Sequence, residues 1–156
     1  MSWLVTEELS GYTVVVGHPA GDRVVIRVIA RMHGDVDDYW DGNWLISPIE
    51  IHLGGFQGTV PAGLRAEELR AFRVSLEEMY ANLDGIAKLD SMEGWLALTV
   101  AIDRSGRLRV SGKAIDRLGS GNELSFRISE MDQSYLPPII NALSDIDTKF
   151  PVVGSP

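Results

Sequence analysis

Leu96-Ala97-Leu98-Thr99-Val100-Ala101-Ile102, Asp103-Arg104-Ser105-Gly106, Arg107-Leu108-Arg109-Val110-Ser111-Gly112-Lys113-Ala114 is the stretch on which the fold turns. Leu96, Leu98, Val100 and Ile102 alternate with Trp95, Ala97, Thr99 and Ala101. That period of two belongs to a strand with one face buried. Asp103-Arg104-Ser105-Gly106 has the chemistry of a type I turn ending in a left-handed glycine. The return run places Leu108, Val110, Gly112 and Ala114 inward and Arg107, Arg109, Ser111 and Lys113 outward. Two strands joined by so short a turn can only be antiparallel.

Working outward, residues 66–84 carry Leu69, Phe72, Leu76, Met79, Tyr80 and Leu83 at spacings of three and four, which predicts a helix. Glu67 and Glu68 suit its N-terminus and Asp84-Gly85 its stop. A second helix is expected from about Tyr135–Pro137, with Pro137 and Pro138 in its first turn and Asp132-Gln133-Ser134 as the capping turn. Its stripe is Leu136, Ile139, Ile140, Leu143, Ile146 and Phe150, and Pro151 ends it. Toward the N-terminus, residues 12–16 and 24–32 read as an antiparallel pair, with Val24, Ile26, Val28, Ala30 and Met32 on one face and Arg27 and Arg31 on the other. Trp44 to Leu53 reads as a strand that Pro48 confines to an edge or a bulge. Gly54-Gly55-Phe56-Gln57-Gly58 reads as a bend followed by a short strand. Gly119-Ser120-Gly121-Asn122 lacks the third glycine of a dinucleotide fingerprint and leads into a strand with Leu124, Phe126 and Ile128 on one side. These pieces add up to an α+β fold: an antiparallel sheet of about six to seven strands with two helices packed on one face.

Length and composition bound the rest. A chain of 156 residues is most economically a single domain, residues 1–156. Without cysteine there is no disulfide, thiolate metal site or thiol nucleophile. Met1-Ser2-Trp3-Leu4 lacks the basic and apolar regions of a signal peptide, and no apolar run is long enough to span a bilayer, so a cytoplasmic protein is expected. The net charge of −8 falls mainly in residues 1–63, where eight acids face three bases. Such a field repels nucleic acid and anionic membrane and draws in a basic partner. The basic outward face of the 96–114 hairpin has no interleaved aromatics for nucleic-acid binding and reads as solvated.

The chemistry-bearing stretch is Asp35-Val36-Asp37-Asp38-Tyr39-Trp40-Asp41-Gly42-Asn43-Trp44-Leu45, with four carboxylates and three large aromatics in eleven residues. His33-Gly34 and Asp41-Gly42-Asn43 place it on or beside a loop. Counted as an EF-hand from Asp35, it has Tyr39 at position five, Trp40 where glycine is required and Ile46 at position twelve, so that motif fails. Adjacent Asp37 and Asp38 point oppositely in an extended chain and make a poor catalytic pair; Asp41 with Glu50 or Glu93 stays open as a carboxylate-based hydrolase. Glu50 and His52 share a strand face but lack a third metal ligand, and His18 and His33 read as turn residues. No catalytic residue, metal or cofactor is expected. A protein-binding site is the preferred reading: Asp37, Asp38 and Asp41 steer, and Tyr39 and Trp40 anchor. Trp44 heads a strand and is expected to be buried. A small-ligand-binding or regulatory domain is the other open reading.

Asp41-Gly42-Asn43-Trp44-Leu45, Gly55-Phe56, Leu64-Arg65-Ala66-Glu67-Glu68-Leu69 and Leu76 to Tyr80 follow one another in a pattern that resembles the WapI family of immunity proteins. Ser91-Met92-Glu93-Gly94-Trp95-Leu96, Gly121-Asn122 with Leu124 and Phe126, and Asp132-Gln133-Ser134-Tyr135-Leu136 extend the resemblance over residues 38–151. The doubled Pro137-Pro138 departs from it. The resemblance implies a small cytoplasmic bacterial protein without catalytic residues, which binds a cognate toxin domain of the nuclease kind and protects its producer.

Overall fold

The computed structural model describes residues 12–119 and 121–156. Readings that fall on residues 1–11, and on Ser120 of the Gly-x-Gly turn, lie outside the described residues. The fold is α+β, with eleven strands and three α-helices among the described residues.

The strands are β1 (Thr13–Gly17), β2 (Arg23–Arg27), β3 (Ala30–Arg31), β4 (Trp44–Ile46), β5 (Ile49–Leu53), β6 (Phe56–Val60), β7 (Gly63–Arg65), β8 (Ile86–Asp90), β9 (Leu96–Ile102), β10 (Arg107–Ile115) and β11 (Glu123–Asp132). The helices are α1 (Tyr39–Gly42), α2 (Ala66–Asn82) and α3 (Leu136–Lys149). A 3-10 turn at Gln133–Tyr135 leads into α3. Every pairing is antiparallel, as the 96–114 hairpin requires. The strands form three sheets in place of the expected one: β1-β2-β5-β6, β11-β10-β9-β8 and a small β3-β4-β7.

The division of the small sheet from the first one has a local cause. The two runs read as single strands, 24–32 and 44–53, both break at the same place and pass together from the first sheet into the small one. At the corner Arg27 N donates to Pro48 O and Ile29 N to Ile46 O. Ser47 is wholly buried there; its hydroxyl oxygen accepts from Leu64 N at 2.8 Å and lies within hydrogen-bond reach of the Leu45 and Ala62 carbonyls. Sheets commonly turn such corners by bending two paired strands at once. One consequence corrects the alternation: Met32 lies beyond the corner and is 45 % exposed instead of inward.

Val14, Val24, Ile26, Ile49, Leu64, Leu89, Leu98 and Val110 join the helix residues Leu69, Phe72, Leu76, Leu143 and Ile146 in one contiguous apolar cluster. Truncating any of the large ones costs about 2–5 kcal/mol. The helices bridge sheets instead of covering one: α2 lies along β7 and β8, and α3 along α2 and β1. Leu83, not Gly85, takes the left-handed stop after α2, with φ 52° and its N–H on Met79 O. Trp95, read as outward, is buried at the start of β9 and donates to Glu93. The 3-10 turn is capped by Asp132 and the two prolines sit in the first turn of α3, as expected.

His18 does more than turn the chain. Its Nε2–H donates to Ser129 O at 2.7 Å, which a carbonyl can only accept. Nδ1 is then the acceptor for the Tyr135 hydroxyl at 3.0 Å. The β1–β2 turn is thereby tied to β11 and the 3-10 turn.

Candidate functional site

The acidic stretch folds as a single helical turn. Asp38 stands at its N-cap in an extended conformation and accepts from Trp40 N and Asp41 N at 3.0 and 3.1 Å. Aspartate is among the favoured residues there because its oxygen satisfies amides that have no helical partner. Asp35, Asp37, Asp38 and Asp41 are all exposed. The side chains of Asp35, Asp37 and Asp41 make no ion pair or hydrogen bond with a described residue. Trp40 is 54 % exposed, Tyr39 is half-buried, and the two rings meet edge to face at 5.0 Å.

Beneath the turn lies Arg65, the largest fully buried side chain among the described residues. Its two terminal nitrogens donate to Trp40 O and Tyr39 O, both at 2.7 Å, and its Nε to Glu67. The guanidinium carbon sits 5.5, 5.8 and 4.7 Å from the rings of Tyr39, Trp40 and Trp44. All three distances are within the range of cation–π attraction. Trp44 is half-buried over this cation, not in the apolar core. The planar five-donor fork suits the place: one side chain answers two carbonyls and a carboxylate at once.

The flanks are fixed as firmly. Asn43, wholly buried, donates to Tyr39 O and Val153 O and accepts from Val153 N, each at 2.9 Å. Arg31 donates to Gly42 O and Pro151 O. A Cβ on Gly42 would stand 2.6 Å from Val36 O and 2.8 Å from Val153 Cγ2, so only glycine fits. The turn is therefore a preorganised knob.

Beside it lies the outer face of the small sheet. Register places Met32, Trp44, Ile46, Gly63 and Arg65 on that face, opposite the buried Leu45 and Leu64. Met32 Cε and Glu93 Oε1 meet over Gly63, at 3.3 and 3.8 Å from where its Cβ would be. Ile46 and Met92 are 42 and 57 % exposed. Glu68 pins the Met92 loop: its carboxylate accepts from Arg65 N at 2.9 Å and Met92 N at 2.6 Å. Burial pushes the Glu68 pKa up, against the two backbone hydrogen bonds that lower it. The structure gathers Asp37, Asp38, Tyr39, Trp40 and Asp41 in one turn, and beside it stand Met32, Ile46, Met92 and Glu93, which the sequence reading did not include. Met32 was assigned inward by alternation, and Met92 and Glu93 lie in the β8–β9 turn, where no periodicity marks them.

The model of the Immunity protein WapI-like family matches residues 16–151. The chain belongs to that family. The WapI-like match spans β1 to the end of α3 and so includes the knob, Arg65 and the small sheet. No curated protein matches the chain. In this WapI-like chain no group of three or more His, Cys, Asp or Glu among the described residues could hold a metal ion. Among the same residues, no helix is long and apolar enough to cross a membrane.

Proposed function

We propose that this chain is an immunity-type binding protein that neutralises a toxin domain by covering it with the Trp40 knob and the adjoining sheet face. The observation that carries the reading is a half-exposed tryptophan held rigid among four exposed aspartates. Exposed aromatic anchors of this kind dominate binding energy when they enter a desolvated pocket. The ring of carboxylates favours a basic partner, such as a nuclease-like domain that itself grips polyanions, and acts mainly on the rate of encounter. Met32, Ile46 and Met92 supply adaptable apolar contact beside the anchor. Membership of the WapI-like family supports a toxin-immunity role.

The test measures binding to a purified basic, nuclease-like toxin domain, taken from a neighbouring toxin gene where one is found. Asp37→Asn with Asp38→Asn keeps the helix cap, since asparagine caps as well as aspartate. It is expected to slow association and flatten its salt dependence while thermal unfolding is unchanged. Trp40→Ala is expected to cost about 2 kcal/mol or more of binding, roughly a thirty-fold loss of affinity, with little change in melting temperature. Toxin neutralisation that is indifferent to both variants overturns the reading.

A further inference from the structure

We propose that the free edge of β6 is a strand-addition site for an extended segment of a partner polypeptide, one with alternating apolar side chains and no acids. The inference stands apart from the Trp40 knob and rests on three features of β6.

First, among the described residues β6 pairs only with β5, so within them its other edge is unpaired in the sheet order β1-β2-β5-β6. The alternation of an antiparallel ladder leaves every second N–H and C=O of β6 directed away from β5. Proteins blunt such edges with charge, proline, bulges or a covering element. Phe56-Gln57-Gly58-Thr59-Val60 has no charge and no proline, its pairing with β5 runs without a register shift, and four of its five residues are exposed. The other edges of the two four-stranded sheets are treated differently. β8 carries Lys88 and Asp90, β11 carries Glu123, Arg127 and a bulge, and β1 is packed against α3.

Second, the inner face beside this edge is unfinished. Phe56, Gly58 and Val60 stand opposite Leu53, Ile51 and Ile49, which are core residues, so they point the same way. Val60 reaches the core, Gly58 offers no side chain, and Phe56 is 64 % exposed, the most exposed large apolar residue described. A groove of about 420 Å³ opens there between β6 and the β10–β11 end, floored by Ile51, Ala114, Ile115 and Leu124. An added strand would place every second side chain in this groove while its backbone completes the β6 ladder. Main-chain bonds then give affinity and the groove gives selectivity.

Third, charge restricts the occupant. Asp116 and Glu123 are the charged residues on the groove wall, with no cation among its lining. An acidic segment is repelled here, and a second copy of a chain with net charge −8 is repelled overall. A neutral or basic segment meets complementary charge.

The experiment measures fluorescence anisotropy of a labelled seven-residue peptide of alternating valine and threonine with lysine at each end. Amide chemical shifts of β6 are followed alongside. Binding is expected to shift the β6 amides. N-methylation of the peptide backbone at alternate residues is expected to weaken binding at least ten-fold, and at the intervening residues to leave it nearly unchanged. Phe56→Ser is expected to weaken it several-fold with an unchanged melting temperature. Absence of binding at millimolar peptide, insensitivity to N-methylation, or shifts confined to other strands overturns the proposal. So does sedimentation of the free protein as a dimer that Thr59→Pro makes monomeric, because a second copy then holds the edge.

Discussion

Arg65 is a cation with no solvent of its own, held by the knob, by the Trp44 ring of β4 and by Glu67 of its own helix start. Lysine at this position keeps the charge but reaches one carbonyl where the guanidinium fork reaches two. Arg65→Lys is expected to cost about 2 kcal/mol in urea unfolding, because a buried carbonyl loses its donor. The Trp40 indole N–H resonance is expected to move toward its value in an unfolded chain; an unmoved resonance would mean that Asp38 and Asn43 hold the turn by themselves. The three-residue strand that carries Arg65 was not read in the sequence, being too short to show alternation. The burial of Arg65 was not readable either, because the rings that cover it come from Tyr39, Trp40 and Trp44, more than a strand away in sequence. Asp38 was likewise read for its charge, whereas its capping role follows from backbone geometry at Tyr39–Asp41.

At the scale of elements, α2 begins on a glutamate that serves two masters. Glu68 caps Arg65 N and holds Met92 N; the arginine cannot reciprocate, as its side chain has no acceptor. Burial raises the Glu68 pKa above its ordinary 4.5, so the folded state keeps that proton longer than the unfolded one. The stability tied to Glu68 is present at acid pH and is lost as pH rises from 4.5 through the raised folded value. Glu68→Gln removes this titration and one of two acceptors, about 1 kcal/mol. Its deficit against wild type is expected to narrow as pH is raised through that window in a series of urea titrations. Glu50 has the opposite sign, because the hydrogen bond from Arg27 lowers its pKa. The Glu50→Gln deficit is expected to widen as pH rises from the lowered folded value through 4.5 and to level off above it, and parallel trends for the two would contradict these environments. The elements themselves were largely legible: the 96–114 hairpin, α2 and α3 announce themselves by period and caps. The corner was half legible. Pro48 marked a break in one strand, but Val28-Ile29 carries no breaker, and the partner strand bends only because its neighbour does. That unseen bend divides the small sheet from the first one; the β8–β11 sheet is separate because its strands pair only with one another.

Across the whole molecule, the knob near one end of the sequence is closed by the other. Asn43 is bound to Val153 on both its amide oxygen and nitrogen, and Arg31 to Pro151, across more than a hundred residues. Removing residues 151–156 is expected to leave the sheets folded yet raise amide hydrogen exchange at Asp41, Gly42 and Asn43 by ten-fold or more. Unchanged exchange would assign the clamp to Arg65 alone. The same closure sets an order of events during synthesis. The aspartates leave the ribosome early, but the turn that displays them cannot lock until Val153 has emerged. A chain that stops short of Val153 therefore carries the charge of the finished surface without its shape.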